Sequence, residues 1–168
     1  MKVYSILILN KAGGLIYQNE ISSGLNKLSA NDYLVLAGTL HGVHAIGSKL
    51  SQSISTTNNL KNTEELNSIQ NSNILSFGKA LNPNNNKSGL QSIETDFFNL
   101  YNFQTVSGLK FIIITSPNDN FENFETSNEI FRKLYILYSD YVMKDPFYSL
   151  DMPIKSILFD KNVKELFR

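Results

Sequence analysis

The stretch from Ser29 to Leu50, S-A-N-D-Y-L-V-L-A-G-T-L-H-G-V-H-A-I-G-S-K-L, limits the fold more than any other part of the chain. Ser29 and Asp32 stand at the spacing of a capping box, in which each side chain satisfies a backbone N–H that the first helical turn leaves unpaired. Behind them Tyr33, Leu36, Leu40, Val43, Gly47 and Leu50 recur at helical spacing and define one face. A weaker stripe of Leu34, Ala37, His41 and Ala45 covers much of the rest. A helix packed on one side only carries a polar, charged face opposite its apolar stripe, yet no charge lies between Asp32 and Lys49. Gly38, Gly42 and Gly47 each cost about 1 kcal/mol relative to alanine in a helix interior. Cover on both sides reconciles these facts. We therefore expect this helix to lie between its own sheet and a second chain, with Tyr33, Leu34, Ala37, Gly38, His41, Gly42 and Ala45 as candidate partner-binding residues.

The rest of the chain supplies the sheet. Val3 to Leu9 is apolar on both faces and reads as a central strand; Leu15 to Gln18 returns after the turn Asn10-Lys-Ala-Gly-Gly14. A strand, not a helix, follows those glycines, so the phosphate-cradling arrangement is missing. Ser51 to Ser88 is mostly Asn, Ser, Thr and Gln and is expected to be an insertion, at least partly disordered, within a single domain spanning 1–168. Lys87-Ser88 lacks the glycine a P-loop needs, because Asn82 stands there. Leu90 to Thr95, Phe97 to Thr105 and Leu109 to Thr115 read as three more strands, the last also central, with Ser107-Gly108 as a tight turn. Thr126 and Glu129 repeat the capping spacing ahead of a second helix over Ile130 to Lys144, which should stop at Asp145 before Pro146. Pro146 to Pro153 is expected to be extended. A short helix follows within Ile154 to Phe167, with Ile157, Leu158, Val163 and Leu166 buried. These elements predict an α+β domain with a five-stranded, mostly antiparallel sheet, two long helices and a short C-terminal helix.

The tail Y-S-D-Y-V-M-K-D-P-F-Y-S-L-D-M-P-I-K-S-I-L-F-D-K-N-V, Tyr138 to Val163, resembles the closing segment of the longin-like subunits of the TRAPP vesicle-tethering complex. Ile8 to Gln18, Asn31 to Ile46 and Lys87 to Phe111 are similar to the sybindin-type members of that family. The resemblance implies a longin (SNARE-like) fold without catalytic chemistry or cofactor. It further implies a complex that acts as nucleotide-exchange factor for a Rab-type small GTPase between the endoplasmic reticulum and the cis-Golgi. The implied partners are other longin-like and Bet-type subunits and the GTPase, with membranes reached peripherally through the complex. In the tail, exposed aromatics beside paired charges suit recognition of a protein, and Lys144, Asp145, Phe147, Tyr148, Asp151, Lys155 and Asp160 are the candidate contacts. Alternatively, Phe147, Pro153, Ile154 and Phe159 pin the tail to the sheet. A second functional reading is a longin adaptor or SNARE-type regulator of coat or fusion machinery without exchange activity; a third, remote one is a small hydrolase.

Composition removes several other classes. A formal net charge of +0 gives no footprint for nucleic acid. The absence of cysteine removes disulfides, thiolate nucleophiles and Cys-based zinc sites, and fits a cytoplasmic protein. The first apolar run ends too soon, at Asn10, for a signal peptide. His41 and His44 are the sole histidines and could both reach one metal, but no third ligand stands nearby in sequence, so the expectation is no metal site. A Ser–His–Asp set can be drawn from any chain this rich in serine and carries no information.

Overall fold

A computed structural model describes residues 2–59, 89–117 and 122–167, with the backbone alone for 51–59 and 122–125. Strands β1 (Val3–Leu9), β2 (Leu15–Glu20), β3 (Ser92–Glu94), β4 (Asn99–Gln104) and β5 (Lys110–Thr115) form one antiparallel sheet in the order β2-β1-β5-β4-β3. Both runs that were apolar on two faces, β1 and β5, are paired on both edges. Helix α1 (Ala30–Asn59) covers one face. Helix α2 (Glu122–Tyr138), its π-helical extension (Ser139–Met143) and helix α3 (Ile157–Leu166) belong to the other.

Strand alternation divides the core between the two layers. Leu7, Leu9, Leu100, Ile112 and Ile114 meet Tyr33, Ala37 and Leu40 of α1. Ile6, Ile8, Tyr101, Phe111 and Ile113 meet Phe131, Leu134 and Tyr138 of α2 and Phe159 and Val163 of α3. The β1–β2 turn closes with the Asn10 N–H on the Gly14 carbonyl at 2.9 Å and the Gly14 N–H on Asn10 Oδ1 at 2.7 Å. Gly13 there has φ +90°, a conformation that side-chain-bearing residues rarely adopt.

The expected α+β architecture holds, and several details differ. Helix α1 continues past the compositional break at Ser51 to Asn59; the remainder of the Asn-rich segment, with Ile74, Leu75, Phe77, Glu64 and Glu65, lies outside the described residues. Helix α2 begins at Glu122, so Thr126 and Glu129 are inside it and not at its cap. The tail from Pro146 to Met152 is folded into turns and not extended. In α3, Ile157 and Leu158 face outward and Phe159 is fully buried. The cap explains the register: Ser156 Oγ accepts the Phe159 N–H at 3.3 Å, which fixes Phe159 and Val163 as the inward pair one turn apart.

Candidate docking surfaces

The first surface is the outer side of α1. The capping box forms as the spacing predicts: the Ser29 N–H donates to Asp32 Oδ2 at 2.9 Å, and the Asp32 N–H donates to Ser29 Oγ at 3.3 Å. The Ser29 hydroxyl also donates to Asp32 Oδ2 at 2.7 Å and, together with the backbone bond, holds that carboxyl below its usual range. The sheet-facing register then runs Tyr33, Ala37, Leu40 and His44, all buried. Tyr33 and Ala37 therefore belong to the chain's own core and present no side chain to a partner. Tyr33 also donates its hydroxyl to Glu20 at 2.8 Å; burial, reinforced by that carboxylate, pushes its pKa up to about 12.

Between Leu34 and Leu50, most of what α1 shows to solvent is apolar. Leu34, Val35, Val43, Ile46 and Leu50 are exposed, Val35 and Ile46 at 62% each. Val43 and Leu50 thus fall outside the core stripe their spacing suggested. Gly38 and Gly42 have no atom within 4 Å of where a Cβ would sit, so they form a flat saddle between larger apolar residues. Ala45 is exposed beside them. Exposed apolar patches that are large and contiguous mark interaction sites, and this face is the candidate for one.

Beneath the second half of α1 lies a polar seam. Asn102 Nδ2 lies 3.0 Å from His44 Nδ1 and donates to the Leu90 carbonyl at 2.8 Å, which ties α1 to the start of β3. His41 packs its ring against Gly13 so closely that a Cβ there would stand 2.6 Å from it. Its buried Nδ1 has no hydrogen-bond partner. Burial first, then the nearby Lys110 ammonium and His44, lower the His41 pKa. Among the described residues no group of three or more potential ligands could hold a metal ion.

The second surface is the tail. Lys144 pairs with Asp140 across one helical turn, at the solvent-exposed end of the π-helical segment. Asp145 is engaged locally: its Oδ1 accepts the Phe147 N–H at 2.9 Å and its carbonyl accepts the Tyr148 N–H at 3.2 Å. That turn throws Phe147 into solvent at 94% exposure. Tyr148 lies partly buried beside Tyr138 and donates to the Met152 carbonyl at 2.9 Å. Burial, then Tyr148 and Asp151, push the Tyr138 hydroxyl up to about 12. Asp151 holds a left-handed φ of 72°. The Ile154 N–H donates to the Ile16 carbonyl at 2.8 Å, so the tail adds to the free edge of β2. Of the four residues that could pin this segment, Ile154 and Phe159 do so, and Phe147 and Pro153 do not. Asp160 stands near the Tyr17 hydroxyl and, after burial, adds to raising its pKa. Phe147, Met152 and Lys155 border a cleft of about 370 Å³. Beside it Leu150, Ile157 and Leu158 are exposed, a continuation that sequence reasoning missed because it placed Ile157 and Leu158 in the core.

The sequence matches the family model described as Sybindin-like family over residues 3–168. The chain is 37% identical over 166 residues to a Dictyostelium discoideum protein named trafficking protein particle complex subunit 4, covering 99% of this chain and 96% of that one. The protein of the same name from Bos taurus is 34% identical over 148 residues, covering 88% of this chain; the chain spans 51% of that protein's length. Among solved structures, a Roadblock/LC7 domain from Streptomyces avermitilis gives a TM-score of 0.47 at 11% identity, covering 82% of this chain and 86% of that one.

Proposed function

Since the chain belongs to the Sybindin-like family, we propose that it is a non-catalytic subunit of a TRAPP-type complex that tethers vesicles and promotes nucleotide exchange on a Rab-type GTPase. Its neighbours in that assembly are longin-like and Bet-type subunits, and the complex works peripherally on endoplasmic reticulum and cis-Golgi membranes. The observation that carries this reading is the pair of exposed apolar surfaces: the outer face of α1 and the tail around Phe147. Both are lined by residues whose burial against water favours association. Among the described residues there is also no helix long and apolar enough to cross a membrane, so attachment through partners is consistent.

Exchange requires no bond-making by this subunit. A surface that fits the nucleotide-free GTPase better than the nucleotide-bound form weakens nucleotide binding by the same factor that nucleotide weakens complex binding. In this reading α1 supplies the contact that builds the assembly, through Leu34, Gly38, His41, Gly42 and Ala45. The tail, with Lys144, Asp145, Phe147, Tyr148, Asp151, Lys155 and Asp160, contributes to the GTPase-facing side.

Reconstituting the complex with and without this chain, and following release of a fluorescent GDP from the GTPase, tests the proposal. Release should fall to the intrinsic rate when the chain is omitted. Unchanged release in its absence would leave the chain as a regulator or adaptor and overturn the exchange role.

A further inference from the structure

Away from both surfaces, a cavity of about 640 Å³ opens between α2 and the β4–β5 turn. Its floor is the stacked pair Phe103 and Phe131, with ring centroids 5.6 Å apart and an interplanar angle of 24°. Its walls are Val106, Tyr135 and Ile136, themselves 87%, 46% and 49% exposed, so the cavity is a groove wet along one side. Asn128 and Arg132 stand at its border, and no carboxylate among the described residues lines it. Arg132 is exposed and makes no hydrogen bond or ion pair among the described residues; Glu129, on the preceding turn of the same helix, does not pair with it. The size, the apolar lining and the few polar groups match those of pockets that receive ligands.

We propose that this groove is a third docking site, for a segment of a partner protein that inserts one large apolar side chain and carries a carboxylate beside it. The side chain lies on the Phe103–Phe131 floor. The carboxylate takes the two parallel N–H donors that the Arg132 guanidinium offers, an interaction stronger than a neutral hydrogen bond. The Asn128 amide stands on the same border to receive the segment's backbone. The open side favours a peptide over an acyl chain. A chain of methylenes laid in the groove would leave one flank in water, whereas a peptide turns its polar side outward.

The test uses the full chain, in the complex in which it is isolated. The probes are labelled octapeptides that place one Phe, Leu or Trp between two Asp residues, together with twins carrying Asn in place of Asp. Fluorescence anisotropy should show binding of an acidic peptide that weakens at least about tenfold for its Asn twin and for Arg132→Glu. The loss in Arg132→Glu should not deepen when the Asn twin is used. Ile136→Asp should weaken the acidic peptide and the twin alike. Arg132 and Ile136 are both exposed, so unchanged thermal melting verifies that the variants fold. Failure of the whole panel to bind, equal binding of acid and amide, or binding of laurate in preference to every peptide would overturn the proposal. Self-association abolished by Arg132→Glu would also overturn it, by assigning the groove to a second copy. None of these readouts depends on exchange activity, so the groove and the exchange role stand or fall separately.

Discussion

Lys110 opens β5 with its side chain on the α1 side of the sheet, 4% exposed, and its ammonium reaches the Gly108 carbonyl at the long distance of 3.4 Å. Burial lowers its pKa, and no carboxylate among the described residues pairs with it. An ammonium held this way destabilises the fold at neutral pH, and Lys110→Met should raise stability on the order of 1 kcal/mol, measured by denaturant unfolding. His41 is linked to it. The usual His41 pKa is 6.5 and the folded value is lower, so the unfolded chain takes up its proton first as pH falls. The stability that His41 contributes is complete above 6.5 and is lost as pH drops through that value toward the folded one. Melting at about pH 5.5 should therefore occur below melting at about pH 7.5. His41→Gln should shrink that difference, and Lys110→Met should also shrink it by removing the neighbouring cation. An identical acid drop in all three proteins would refute the link.

At the scale of elements, α3 and α1 differ in what their apolar residues do. Phe159 is fully buried, 4.9 Å from the Tyr17 ring by centroid, so Phe159→Ala should cost about 3–5 kcal/mol. Ile157→Ser, at a position 84% exposed, should change stability by no more than about 0.5 kcal/mol. Gly38→Ala and Gly42→Ala should each raise helix stability by up to about 1 kcal/mol in the separate chain, because the added methyl meets nothing. If a neighbouring helix packs against that saddle, the same changes weaken co-assembly; a stabilised variant that still assembles would move the contact elsewhere on α1. Much of this was legible in the sequence. The runs Val3–Leu9 and Lys110–Thr115 show their central position because both faces are apolar, and Ser29 with Asp32 marks the start of α1. The register of α1 was legible only in part: Tyr33, Leu36 and Leu40 face the sheet as their spacing indicates, while Val43 and Leu50 turn outward. Its sheet-facing stripe includes His44, a polar residue met by the Asn102 amide, which also holds the Leu90 carbonyl; these contacts between helix and sheet are ones that helical spacing cannot show. Ile157, Leu158 and Phe159 are three consecutive apolar residues that permit several registers, and the Ser156 cap selects Phe159 and Val163. Thr126 resembles a cap but sits within a helix already under way, beside a fully buried Ser127.

For the molecule as a whole, the sheet keeps the two proposed assembly surfaces distinct: α1 lies on one face, and the tail is anchored at the β2 edge and to the α2–α3 layer. Their energetic effects should accordingly add, as they do for sites that share no partners. Asp145 and Asp160 are poor reporters of the tail surface, because one caps the turn that projects Phe147 and the other acts on the Tyr17 hydroxyl. Charge reversal at either should impair binding, partly by disturbing the tail. Phe147→Asp leaves those contacts in place and changes a side chain that touches little, so its melting should match the unsubstituted chain. On the other side, the pair Val35→Asp and Ile46→Asp replaces two residues each 62% exposed and should also melt normally. Ala37→Asp, by contrast, places a charge against Leu7 and Ile112 and should not fold. Expressed alone, the unsubstituted chain should self-associate through its uncovered α1 face, and the Val35/Ile46 variant should run as a monomer in analytical ultracentrifugation. Co-expressed with longin-like subunits, that variant should fail to co-purify. Phe147→Asp should still co-purify while losing affinity for the nucleotide-free GTPase. Stoichiometric recovery of the Val35/Ile46 variant with the other subunits would show that α1's outer face is not where the assembly is built.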